Sequence, residues 1–169
     1  ELTAHPDCLK GMKLRSQEGT IYTLTGEAYG AQLTSVSFSE LYSALQSGVV
    51  DGADQPISGF ATNQFQEICK YYINDQHEIP VDWILMSAIT FESLNGAEKA
   101  VVQEAFEESV KYFYEVQDNL VSEYVATMEA AGVNIIEIDP QEWKDAVSSV
   151  YDQYPEWASI VETVRNTKY

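Results

Sequence analysis

MKLRSQEGTIYTLTGEAYGAQLTSVSFSELYSALQSGVVDGADQP, residues 12–56, is the stretch that decides the fold. Residues 12–16 alternate apolar and polar, so a strand there sets Met12 and Leu14 on one face and Lys13 and Arg15 on the other, with Arg15 near the strand's end. Residues 21–31 carry a helical pattern that stops near Gly30, and a short strand follows around Leu33 to Val36. Ser37 and Glu40 have capping-box spacing, and Leu41, Ala44 and Leu45 then recur at helical period until Gly48. Val49 and Val50 read as a third short strand before the polar turn Asp51 to Pro56. The order β, α, β, α, β predicts an α/β fold with a parallel sheet and crossover helices.

Downstream, residues 68–74 and 83–89 are strand candidates separated by a polar, Pro80-containing segment, and they are placed to cross between two bodies. From Gly96 to Ala131 the pattern is helical without proline, and a stripe of Val102, Phe106, Phe113, Leu120 and Tyr124 is expected to be buried. A helix of that length spans roughly 50 Å, against ~30 Å for a small domain. It therefore either bridges two bodies or pairs with another chain. Residues 133–138 form a strand candidate, Asp139, Pro140 and Glu142 start a further helix, and Pro155 opens the last one.

Composition narrows the function classes. Nine basic against 27 acidic residues give a formal charge of −18, which repels phosphate backbones and anionic lipid. A small anion in a cleft is still compatible, because one local cation outweighs distant screened charge. No run of 18 apolar residues is present, so no direct membrane insertion is expected, and residues 1–7 read as a chain entered partway. Cys8 and Cys69 have no metal spacing, and buried thiols are favoured over a disulfide. His5 and His77 are isolated in sequence from each other and from both cysteines, so no metal set and no nucleophile–base pair is legible. There is no glycine-rich phosphate loop, hence no cofactor is expected. Asp51 and Asp54 flank a turn and are read as orienting backbone, and Glu107 and Glu108 as a solvated helix face.

Three stretches resemble the DctP family of solute-binding proteins that serve TRAP transporters. They are LKGMKLR at 9–15, SFSELYSALQSGVVDGADQP at 37–56, and the strand KYY at 70–72 followed by His77, Trp83 and Ser87. The second is the most specific, since it follows the family pattern over twenty consecutive residues. The resemblance implies a periplasmic-binding-protein type II-like architecture of two α/β lobes with a long spanning helix. It places residues 1–80 and 121–169 in the second lobe and assigns 81–120 to elements that pack on the first. Most of that first lobe is then expected to lie outside this chain.

By the same resemblance, four residues form an organic-acid site. Arg15 aligns with the arginine that pairs with the ligand's carboxylate, and its planar fork of donors suits a bidentate contact. Read from composition alone, it is a structural arginine paired with one of the many acidic residues. Gln55 stands where the family usually has asparagine, and is otherwise a turn residue facing water. Phe38 matches an aromatic that packs on the ligand, and is otherwise a hydrophobic staple or core residue. Gln17 lies just past Arg15, where the family tends to carry proline and small residues. Trp83 reads as core before cleft wall.

The function implied is an extracytoplasmic, periplasmic receptor that captures a carboxylate, such as a dicarboxylate, for TRAP permease subunits, and is not an enzyme. The rival readings are a ligand sensor for a membrane kinase, a small-acid hydrolase or lyase using Asp51 or His77, and a module that self-associates through its long helix.

Overall fold

The computed structural model describes residues 2–17, 19–77 and 83–167, apart from the side chain of Asp118. The first sheet is built from β1 (Lys13–Ser16), β2 (Gln32–Ser35) and β3 (Gly52–Ala53), in spatial order β2-β1-β3 and all parallel. Helices α1 (Thr20–Ala28) and α2 (Leu41–Gln46) make the crossovers. This is the β, α, β, α, β order expected from residues 12–56.

The second sheet pairs β4 (Tyr71–Asn74) with β5 (Asn134–Glu137), again parallel, with Tyr71 opposite Asn134 and Asn74 opposite Glu137. Between them run α4 (Ala88–Ser93) and the long α5 (Gly96–Ala130). Helix α3 (Ile57–Thr62) comes after β3 and packs against α5, while α6 (Pro140–Ala146), α7 (Ser148–Asp152) and α8 (Ala158–Asn166) complete the chain. Among the described residues no helix is long and apolar enough to cross a membrane.

One device ends three of the helices and sets the direction of the chain beyond them. Gly30, Gly48 and Gly132 all have φ between +72° and +76°, a left-handed conformation that costs glycine nothing. After α5, the Gly132 N–H bonds the Glu129 carbonyl at 2.9 Å and the Val133 N–H reaches back to the Met128 carbonyl at 3.0 Å. The same pair of bonds joins Gly48 to Leu45 and Val49 to Ala44, and Gly30 to Glu27 and Ala31 to Gly26. These are Schellman closures, which satisfy the last carbonyls of each helix.

The closure after α2 corrects one expectation. Val49 and Val50 do not form a strand, because both of their N–H groups are turned onto the Ala44 carbonyl. The sheet ladder begins two residues later, at Gly52, and Val50 is instead buried in the core. Ser37 is a second correction. Its hydroxyl bonds the Glu40 carboxylate at 2.5 Å and caps no backbone N–H, so a 3-10 turn, Phe38–Glu40, precedes α2.

The core cluster comprises Leu41, Ala44, Val50, Phe60, Ala61, Phe65, Met128 and Val133. It therefore joins α2, α3 and only the C-terminal end of α5. The long helix is continuous over 35 residues and opens with a true capping box, Asn95 with Glu98. Its expected buried stripe is absent, however. Phe106, Phe113 and Leu120 are exposed, Val102 and Tyr124 are half-buried, and Met128 is the residue of this face that the core swallows. Residues 83–89 are no strand either. Residues 83–87 have no regular structure and Ala88 and Ile89 open α4, and Trp83, expected in the core, is 77% exposed. Residues 78–82 lie outside the described residues.

Candidate functional site

One large concavity of about 2330 Å³ takes in the carboxyl ends of β1 and β3. That exceeds the ~300–1,000 Å³ of a ligand cup, so it is an open groove. Arg15, Gln17, Phe38 and Gln55 all line it.

Arg15 is the third residue of the central strand and is 9% exposed. Its Nε–H donates to the Val36 carbonyl at 3.1 Å, where the chain leaves β2. No carboxylate lies within ion-pairing distance of it among the described residues. Its terminal nitrogens are not among the sealed, unpartnered polar atoms, so they reach the groove. A cation is thus held by the scaffold with its fork unfilled.

Register brings Gln55 close. Arg15 sits opposite Ala53 on β3, two residues before Gln55. The Gln55 carbonyl accepts a bond from the Tyr72 hydroxyl at 3.4 Å, which ties this turn to β4. Phe38 is half exposed and meets Phe65 edge-on at 6.5 Å, so its ring leans on the core while one face stays open. Gln17 lines the groove just past β1.

A second cluster has no counterpart in the sequence reading. His77 Nδ1 lies 2.9 Å from Asp75 Oδ1, and its Nε2 lies 3.4 Å from Asp54 Oδ2. Hydrogen bonds to Asp54 and then Asp75 outweigh burial and push the imidazole up to about 10. Asp54 therefore does not orient backbone, as expected, although Asp51 does, accepting from the Lys13 N–H at 2.9 Å. Burial, then Asp75 and Asp54, raise the Tyr72 phenol to about 12, and the same causes drive Tyr29 well above the usual range. Only the Asp75–His77 spacing hints at this cluster. Nothing in one dimension sets Asp54 against His77. Among the described residues no group of three or more His, Cys, Asp or Glu is arranged to hold a metal. Cys8 and Cys69 are free thiols, both half-buried.

The sequence model of the bacterial extracellular solute-binding proteins, family 7 (DctP), matches residues 3–157. The chain belongs to this family. Among curated family 7 relatives, the C4-dicarboxylate-binding periplasmic protein DctP of Rhodobacter capsulatus is 26% identical over 155 residues, covering 89% of this chain and 46% of that one. The sialic acid-binding periplasmic protein SiaP of Vibrio cholerae is 26% identical over 145 residues, covering 86% and 45%. A TRAP periplasmic solute-binding protein from Roseobacter denitrificans, solved with bound β-D-glucuronate, superposes with a TM-score of 0.89 at 29% identity, covering 98% and 56%. This family 7 chain thus spans about half the length of the relatives it matches.

Proposed function

We propose that this chain is part of a periplasmic TRAP receptor that captures an organic acid, with Arg15 anchoring the carboxylate, Gln55 and Gln17 hydrogen-bonding around it and Phe38 packing on its carbon skeleton. One observation carries the reading: Arg15 is nine-tenths buried yet has no carboxylate partner among the described residues, in a chain of 27 acidic residues. A buried charge without a counter-ion is costly, and a ligand carboxylate relieves that cost. The guanidinium fork then meets it bidentately.

The groove is open, so binding on this wall alone is wet and weak. In a receptor of two lobes, closure would expel water and strengthen the pair. The same reading assigns residues 1–80 and 121–169 to one lobe and 81–120 to elements packing on the other. It is supported by α5, which buries Met128 in the core but leaves Phe106 and Phe113 uncovered. Delivery to a TRAP permease, with no catalytic step, is part of the same reading, and membership in family 7 supports it.

The test is a panel of acids against matched neutral compounds, D-glucuronate beside D-glucuronamide, followed by NMR shift changes on the labelled chain. Acids should bind and amides should not, with the acid recovered unchanged. Equal response to both, or consumption of the acid, would overturn the reading.

A further inference from the structure

We propose that Gly59 is a positioning residue for the acid site: the space left by its missing side chain holds the Gln55 carboxamide, and any side chain there displaces that group from its place on the groove wall. This rests on the reading of Gln55 as a ligand contact.

Nothing in the local backbone calls for a glycine here. Gly59 lies inside α3, and its φ is not in the left-handed region that favours glycine. Within a helix glycine is less favourable than alanine, because it gives up more backbone freedom on folding. The surroundings supply the reason for it. A methyl carbon at this position would lie 3.1 Å from Gln55 Oε1, with Pro56 Cγ at 3.6 Å and Pro56 Cδ at 3.7 Å. The proline distances are ordinary van der Waals contacts, so the amide oxygen is the atom that comes too close. Gln55 therefore folds over the first turn of α3 and rests against bare backbone.

No other contact fixes the carboxamide. The Tyr72 hydroxyl bonds the Gln55 backbone carbonyl, but among the described residues the Gln55 side chain makes no hydrogen bond, and neither of its polar atoms is sealed from solvent. Packing against Gly59 is what defines where the amide stands, and its donors are left for a ligand. The crowded atom is also the far end of a flexible side chain, so an alanine at 59 is accommodated by rotating Gln55 and not by moving the helix. The effect falls on the site and spares the fold.

A cycle of variants of the labelled chain, titrated with D-glucuronate and followed by NMR, tests this. Gly59→Ala should shift the Gln55 side-chain amide signals of the free protein and weaken binding about threefold or more, the share of one hydrogen bond. Its urea midpoint should equal or exceed that of the wild type, since alanine is the better helix former. In the Gln55→Ala background the carboxamide is gone, and Gly59→Ala should change the affinity by less than about 1.5-fold. Gly96→Ala, whose added carbon meets nothing within 4 Å, should leave binding unchanged. Wild-type affinity in Gly59→Ala, an equal loss in both backgrounds, or a marked fall in the urea midpoint of Gly59→Ala, which would make Gly59 a packing residue, would overturn the proposal. Acid binding that Gln55→Ala leaves untouched would remove Gln55 from the site, and this inference with it. Absence of any acid binding by the wild type would instead sink the Arg15 reading that both depend on.

Discussion

The Arg15 Nε–H and the Val36 carbonyl meet at 3.1 Å, and that bond pins a buried guanidinium at the mouth of the parallel sheet. Its other donors face the groove, with no carboxylate in ion-pairing distance among the described residues. Such a site costs folding energy in the absence of ligand. Arg15→Met, of similar length and uncharged, should therefore leave the chain as stable or about 1 kcal/mol more stable while abolishing acid binding. Urea denaturation of both proteins measures the first half and ligand titration the second. A large loss of stability would mean that Arg15 is a structural residue.

Met128 is fully buried where α5 enters the core beside Val133. Met128→Ala should cost about 2–5 kcal/mol by loss of transfer energy and a residual cavity. Phe113→Ala, fifteen residues earlier on the same helix, should cost little, since that ring is 55% exposed. Comparable losses in denaturation experiments would show that the helix is covered along its length.

His77 gives the chain a particular pH dependence. Its imidazole is raised to about 10 by Asp54 and Asp75, against ~6.5 for an unperturbed histidine. Below ~6.5 both the folded and unfolded chains are protonated and the stabilisation is complete. Between that value and about 10 the unfolded chain gives up its proton first, so stability falls as pH rises. The difference in unfolding free energy between the wild type and His77→Asn should shrink across this window, and a difference that grows toward pH 10 would contradict the triad.

Phe106, Phe113, Tyr114, Val101 and the 83–89 segment leave an apolar face uncovered on α5 and before it. We expect the chain to associate through this face at high concentration, as exposed apolar patches of this extent do. Light scattering on wild type and on Phe106→Ser with Phe113→Ser should show association that the double variant reduces. Monodisperse monomers of the wild type at all concentrations would remove this expectation.

The parallel β, α, β, α, β order is legible in the sequence because helix and strand periods alternate cleanly over residues 12–56 and glycines punctuate them. Val49 and Val50 misplace the third strand by three residues, since their pattern reports burial and does not say where their N–H groups bond. Apolar spacing on α5 marks a helix, but spacing carries no information on whether a partner surface exists, so the buried stripe fails at Phe106, Phe113 and Leu120. The same limit explains Trp83. Arg15, Gln17, Phe38 and Gln55 stand out through the family resemblance, and they share one groove. The Asp54–His77–Asp75 cluster is invisible in the sequence because its members meet only after two sheets are formed, and no local rule links the exit of β3 to that of β4.

Acid capture in this groove stands or falls on Arg15. Titration of the labelled chain with D-glucuronate, followed at the Arg15 Nε–H and at the backbone amides of Gln17, Phe38 and Gln55, tests it most directly. An ion pair at an open, wet surface contributes about 0–1 kcal/mol, so a dissociation constant in the millimolar range is expected. All four signals should move on one isotherm, and Arg15→Lys, which keeps the charge but loses the fork, should weaken it about fivefold or more. Shifts confined to residues outside the groove, or an isotherm that Arg15→Lys leaves unchanged, would contradict the assignment of the carboxylate to this arginine.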